Sequence, residues 1–223
     1  MLQPRAQLPL RNLFRAKAER ICDFIQEEGV LFRPFARETL PYFCKLPLTE
    51  QQVVVRDITL YEQICQDVRA AKGSLKDNHL FLQKALNRFN WHIRPEDLLK
   101  IHEEHLLEIY DLNQTQVFRS FRFFEVCSYT LEDLYCRKWW HLYHRNPSDQ
   151  DFVFHEVEEF LNQAPPQARP FPLRSTRIAE TDTLERIICY STIEWLLPIL
   201  DGEKLAGMMT VIKCQLESEF TAG

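Results

Sequence analysis

The sequence predicts an α+β protein: a helical bundle over residues 1–98, then a five-stranded antiparallel sheet with helices packed on one face over residues 99–223. Three observations predict it. Before residue 98, apolar residues recur at helical spacing between breaker residues. Near the end, two β-rich runs flank Asp201-Gly202, a dipeptide that favours the positive φ of a tight hairpin. Between them the pattern reads as two short strands, a helical middle and an extended segment, so the sheet's order is two strands, helices, then three strands.

The elements follow in order. Over residues 10–28 the side chains Leu10, Leu13, Phe14, Ala18, Ile21 and Ile25 form one helical stripe, and Gly29 is placed to end it. Residues 33–44 are punctuated by Pro34, Pro41 and Pro47. Thr49 reads as the cap of a longer helix with Gln52 at the capping-box position, running to about Ala71 before Lys72-Gly73-Ser74 breaks it. Residues 75–89 form a further helix, and a helix over 95–105 joins this four-helix unit to the sheet. Residues 106–121 read as strand, polar turn, strand. Residues 123–144 are short helical turns in which Thr130 caps with Asp133 three residues on. Residues 149–162 make an amphipathic helix with Phe152, His155, Val157, Phe160 and Leu161 near one side. The proline-rich stretch 164–170 cannot continue it and leads into an extended segment over 173–180. In the last run Leu205, Gly207, Met209 and Val211 share one face; Ala206, Met208, Thr210 and Ile212 share the other.

Composition narrows the function. At 223 residues the chain holds two domains of ordinary size, and 45% hydrophobic with 12% aromatic residues supplies a core. With only five glycines, the chain has no G-x-G-x-x-G, Walker A or nucleophile-elbow pattern. Its seven cysteines are spread without a C-x-x-C pair or zinc spacing, and read as reduced, buried thiols of a cytoplasmic protein. The first residues lack a signal-peptide apolar region, and no run suits a membrane span. Residues 1–98 carry 15 Lys/Arg against 12 Asp/Glu, residues 99–223 carry 12 against 20. An acidic sheet domain is a poor nucleic-acid partner. Arg5, Arg11, Arg15, Lys17 and Arg20 could touch DNA or an anionic surface, but Glu19, Asp23, Glu27 and Glu28 share their helix, which favours a solvated face.

Three segments carry a family resemblance. Tyr129-Thr130-Leu131-Glu132-Asp133-Leu134, then Trp139 to Arg145 followed by Asp149, then the hairpin from Pro198 to Gly207 occur in the order and spacing of a PAS (PAS/PAC-like) sensory domain, which this chain resembles over residues 104–216. The N-terminal half resembles no known family. The resemblance implies a non-enzymatic, cytoplasmic signal-transduction protein that senses a small ligand or contacts another signalling protein. It also implies a homodimer formed through a flanking helix, here 95–105, and an exposed sheet face carrying Ile193, Trp195, Met208 and Ile212. A cavity would be lined by Phe118, Phe124, Trp140, His155 and Tyr190. No cofactor is expected, with haem as an alternative because His155 lies on the helix that supplies an axial ligand in haem-binding relatives. The cysteine motif of the flavin-binding light sensors is absent. A haem or small-molecule sensor controlling a separate output protein, and a transcriptional regulator with a DNA-contacting helical module, remain as alternatives.

For catalysis, no Ser/His/Asp or Cys/His arrangement stands out, and no catalytic residue is assigned. The i, i+3 pairs His102/His105 and His141/His144 could each present two imidazoles, but Glu103, Glu104 and Cys136 are too scattered to complete a metal site, so structural roles are expected. Large aromatic side chains between sheet and helices are expected to fill most of the core rather than leave a cavity.

Overall fold

The computed structural model describes residues 7–172, 175–183 and 185–220. Helix α1 (Gln7–Glu27) buries Phe14, Ala18, Ile21 and Ile25 completely, at the three- and four-residue spacing of one stripe. Gly29 follows at φ +93°. After α2 (Pro41–Lys45) comes α3 (Leu48–Ala70), whose cap position is held by Pro47. The expected Thr49 cap therefore falls inside the first turn, and Pro47, extended at φ −56° and ψ 153°, precedes the helix with no side-chain cap bond. Helix α4 (Asn78–Phe89) starts later than expected, since Asp77 caps it by accepting from the Leu80 N–H at 2.8 Å.

The joining helix is shorter than the pattern predicts. Helix α5 (Pro95–Leu98) makes one turn only, and the chain then loops to the sheet. Asn78 explains this: its Nδ2 donates to the carbonyls of His102 (3.0 Å), Glu103 (3.2 Å) and His105 (2.8 Å), turning them toward α4. No helix over 95–105 is available as a dimerisation arm.

The rest of the chain runs β1 (Leu106–Asp111), β2 (Gln116–Arg119), α6 (Arg122–Glu125), α7 (Leu131–Cys136), a 3-10 turn (Trp139–His141), β3 (Tyr143–His144), α8 (Pro147–Leu161), β4 (Arg169–Pro170), β5 (Thr176–Glu180), β6 (Ile188–Asp201), β7 (Lys204–Leu216) and α9 (Glu217–Phe220). One curled antiparallel sheet has the order β2-β1-β7-β6-β5-β3, with β4 against β6. The sheet has seven strands rather than the expected five: β1, β2, β5, β6 and β7 fall in the expected segments, and β3 and β4 are two residues each, too short to show any periodicity. The Thr130/Asp133 capping box forms as expected. So does the hairpin, with Gly202 at φ +59° in a two-residue loop between Asp201 and Lys204.

Helices cover both sheet faces rather than the one the sequence reading expects, because β6 and β7 carry apolar side chains on both. Leu107, Ile109, Met209, Val211, Leu197 and Ile199 join the cluster built by α1, α3 and α4. On the other side Tyr110, Leu196 and Met208 meet Val153, Val157 and Phe160 of α8. Polar ties fix the helical module to the sheet half. The Tyr61 hydroxyl donates to the Arg119 carbonyl at 2.7 Å. Buried Glu132 accepts from the N–H groups of Tyr42 (2.8 Å) and Phe43 (3.1 Å), and burial raises its pKa against those two bonds. His92 and Leu200 exchange two backbone bonds of 2.9 Å.

Gly207 permits the β1–β7 pairing. A Cβ there would sit 2.2 Å from the Tyr110 carbonyl oxygen, closer than any van der Waals contact. Gly207→Ala is expected to lower stability by about 2–4 kcal/mol in urea titration; a loss below about 1 kcal/mol would contradict this close approach.

Candidate ligand-binding site

Between the sheet and α8 lies a largely enclosed cavity of about 50 Å³. Its floor comes from alternate residues of three strands: Glu108 and Tyr110 of β1, Ser191 and Ile193 of β6, and Met208, Thr210 and Ile212 of β7. A bulge between Ile193 and Trp195 ends this alternation, so Leu196 rather than Trp195 continues the face under α8. Val153 and Val157 form the roof, four apart on α8; Trp139 and Arg145 close one side, and Thr176 of β5 another.

Polar groups inside this apolar cavity divide into two sets. Glu108 is satisfied: it accepts from the Tyr110 hydroxyl (2.7 Å), Gln116 Nε2 (2.7 Å) and, more distantly, Thr210 Oγ1 (3.4 Å). Burial, then the Glu108 charge, pushes the Tyr110 hydroxyl well above its ordinary pKa, so it stays a donor. Arg145 and Trp139 are not satisfied. Arg145 Nη1 and Trp139 Nε1 are both buried with no hydrogen-bond partner among the described residues. The half-buried Arg145 side chain lies over the faces of Trp139 and Tyr143, whose centres are 5.6 and 5.7 Å from its guanidinium carbon. Orphaned donors of this kind cost about 1–3 kcal/mol each when nothing accepts from them.

Trp139 also borders a second space, a cleft of about 250 Å³ between α3 and the segment from Leu134 to Trp139. Val53, Val54 and Asp57 of α3 and the turn Gln114–Gln116 complete it. One indole ring therefore separates the cavity under the sheet from the seam with the helical module.

The expected site residues fall elsewhere. Phe118 and Phe124 lie in the core on the helical side of the sheet, packed on Tyr61. Trp140 packs edge-to-face with Trp139 and Phe154 outside the cavity. Tyr190 is half-buried beside Arg177 and Glu217, on the strand face opposite to Ser191. The His155 side chain is 64% exposed and pairs with Glu159 at 3.3 Å. It lies two residues, about 200° around the helix, from both Val153 and Val157, which are the residues that face the sheet. It is not placed to ligate a group held in the cavity.

The expected interface is also corrected. Met208 and Ile212 are buried, at 2% and 8% exposure, and with half-buried Ile193 they line the cavity instead of an outer face. Trp195, turned away by the bulge, is half-buried with Lys100 Nζ 5.2 Å from its ring. The sequence reading missed Arg145, Glu108, Ser191 and Thr176. Polar residues sharing a strand face with Met208 and Ile212 were the available signal.

Other candidates resolve into structure. Arg15 pairs with Glu38, Lys17 (2.5 Å) and Arg20 (2.9 Å) with Glu62, and Arg11 donates to the Glu38 carbonyl, so these charges are engaged within the helical module. The thiols of Cys22, Cys65, Cys127, Cys136 and Cys189 are held above the ordinary range, the last chiefly by its bond to Cys214 and the others by burial, which disfavours thiolate chemistry. Buried Arg119 lies over Phe123 (5.4 Å) and Tyr135 (5.0 Å), donates to the Leu134 carbonyl (3.3 Å), and has no carboxylate partner among the described residues. No group of three or more His, Cys, Asp or Glu among the described residues could hold a metal ion. No helix among them is long and apolar enough to cross a membrane. Comparison with protein-family models, curated proteins and solved structures finds no match.

The His102/His105 pair has a structural role. Buried His105 accepts at Nδ1 from the His102 N–H (3.0 Å), which leaves its proton on Nε2, 3.1 Å from Glu194 Oε2 but without hydrogen-bond alignment. Burial lowers its pKa, against the opposing pull of Glu194 and Glu104, with His102 and Lys213 adding to the lowering. A base whose pKa is lowered by folding binds its proton more readily when unfolded. Its contribution is full above the ordinary value of about 6.5 and is lost as pH falls below it. His105→Asn can keep an acceptor near the Nδ1 position for the His102 N–H without titrating. The native chain is expected to lose stability relative to this variant between neutral pH and about pH 5 in thermal melts, whereas parallel curves would contradict the assignment.

Proposed function

We propose that this chain is a PAS-like signal-transduction protein that binds a small ligand between its sheet and α8 and reports occupancy to another protein. The observation that carries this reading is the cavity with its two orphaned donors, Arg145 Nη1 and Trp139 Nε1. Buried donors without partners are uncommon in folded proteins, and here two of them belong to residues that line one cavity. The element order supports the PAS part: two strands, a helical middle that includes the Thr130/Asp133 capping box, then β5 and the two long strands β6 and β7 joined by a tight hairpin. Nothing in the arrangement of nucleophiles and bases supports catalysis better.

Trp139 gives the reading a route for the signal. A ligand accepting from its indole N–H would draw on a ring that also forms the wall of the cleft against α3. Movement of that ring would change the seam between sheet and helical module, where a partner protein or a second copy could detect it.

Native mass spectrometry of the freshly purified full-length chain tests this. A small added mass, lost on denaturation and abolished by filling the cavity with Val157→Phe, is the expected result. A clean protein mass, together with no rise in melting temperature against a mixture of small metabolites, would overturn ligand sensing and leave a protein-contact module.

A further inference from the structure

We infer that the cleft between α3 and the segment from Leu134 to Trp139 is a binding site of its own, which takes a small monoamine with its ammonium group on Asp57 and its apolar body against Val53, Val54 and Leu134. Only Trp139 is shared with the lining of the space under α8, so this site stands whether or not that space is filled.

Asp57 sets the charge of the ligand. Its side chain is 8% exposed, and it lines the cleft from within α3. Asp57 Oδ1 accepts from Arg56 Nε at 2.8 Å and lies 2.8 Å from Arg56 Nη2, whereas Oδ2 accepts from nothing among the described residues. Arg56 is a weak counter-ion, because its side chain is 63% exposed and reaches one oxygen only. Burial raises the Asp57 pKa against the bond and charge of Arg56, and Asp111 adds to the rise. The carboxylate is left short of positive charge, which an ammonium on Oδ2 would supply together with its donors.

The other charged groups of the lining leave this need standing. Arg137 is engaged by Asp133 (3.3 Å), Asp182 (3.2 Å) and the His141 carbonyl (2.9 Å). Lys138 is exposed, with its Nζ 6.0 Å from the Trp140 ring. Glu50 is exposed near the start of α3, about 10 Å along the helix from Asp57. At the buried end of the cleft the surplus is therefore one of acceptors, and an anion would meet Asp57 unfavourably.

Volume and walls set the rest of the ligand. An apolar cavity of about 150 Å³ holds benzene, so the ~250 Å³ of this cleft holds a molecule of about ten non-hydrogen atoms. Val54 and Leu134 are buried, and Val53 presents an apolar side chain that is 40% exposed. With the Tyr135 and Trp139 rings alongside, these walls suit an aromatic or hydrocarbon body better than a second charge.

Equilibrium dialysis of ¹⁴C-2-phenylethylamine, an amine of about that size, against the full-length chain tests this. The competitors are 2-phenylethanol, 3-phenylpropionate and 1,5-diaminopentane. Saturable binding near one per chain is expected, weakened about tenfold or more by Asp57→Asn and not displaced by any competitor at equal concentration. Val53→Trp fills the cleft from an exposed position and is expected to abolish binding; it serves if the Asn variant fails to fold. Equal competition by 2-phenylethanol, with binding unchanged in Asp57→Asn, would overturn the amine assignment while leaving the cleft as an apolar site. Displacement by 3-phenylpropionate would reverse the charge, and displacement by 1,5-diaminopentane would replace the monoamine with a diamine spanning Asp57 and Glu50. Binding that survives Val53→Trp, or no saturable binding of the amine at all, would overturn the site.

Discussion

The structure depends on a sheet that must be covered twice. Strands β6 and β7 carry apolar side chains on both faces: Leu197, Met209 and Val211 face the helical module, while Ile193, Met208 and Ile212 line the space under α8. A sheet of this kind cannot leave either face to water. The helical module supplies one cover and α8 the other. That requirement explains why the ties between the halves are buried and directional, from the Tyr61 hydroxyl on the Arg119 carbonyl to Glu132 on two backbone N–H groups of α2. The N-terminal helices are part of the same core as the sheet.

The two covers differ in kind. The helical side is filled by aromatic and branched side chains, with Phe81, Phe118, Phe124 and Tyr61 in mutual ring contact. The α8 side mixes Glu108, Ser191 and Thr210 into the apolar floor, and the two valines above them cannot close over polar groups without leaving space. Arg145 and Trp139 border that space with donors turned to no partner. A cavity of this composition departs from the usual filling of a small core, where polar atoms are paired and voids are dry.

Local signals were legible in the sequence. The Thr130/Asp133 capping box, the Gly202 hairpin, the stripe of α1 and the order of strands and helices all rest on residues close in the chain. What was not legible depends on distant partners. The loop after α5 is set by Asn78, which captures three carbonyls 24 to 27 residues away. Period-two alternation told which residues share a face with Met208 but not that α8 covers that face, so an interior wall was taken for an interface. On α8 itself, Val157 and Phe160 of the expected stripe meet the sheet together with Val153, which the stripe leaves out, while His155 of the same stripe is exposed. Arg145 was invisible because its significance lies in the absence of a partner, which no single-chain pattern records.

The chain's methionines offer the most direct test. Met208 lines the cavity and its neighbour Met209 points to the opposite side of the sheet, so each reports on one face. With ¹³C-methyl-methionine labelling, Val157→Phe, which fills the space between the sheet and α8, should move the Met208 methyl resonance and leave Met209 in place. Movement of both together, or of neither, would contradict a space beside Met208 between the sheet and α8.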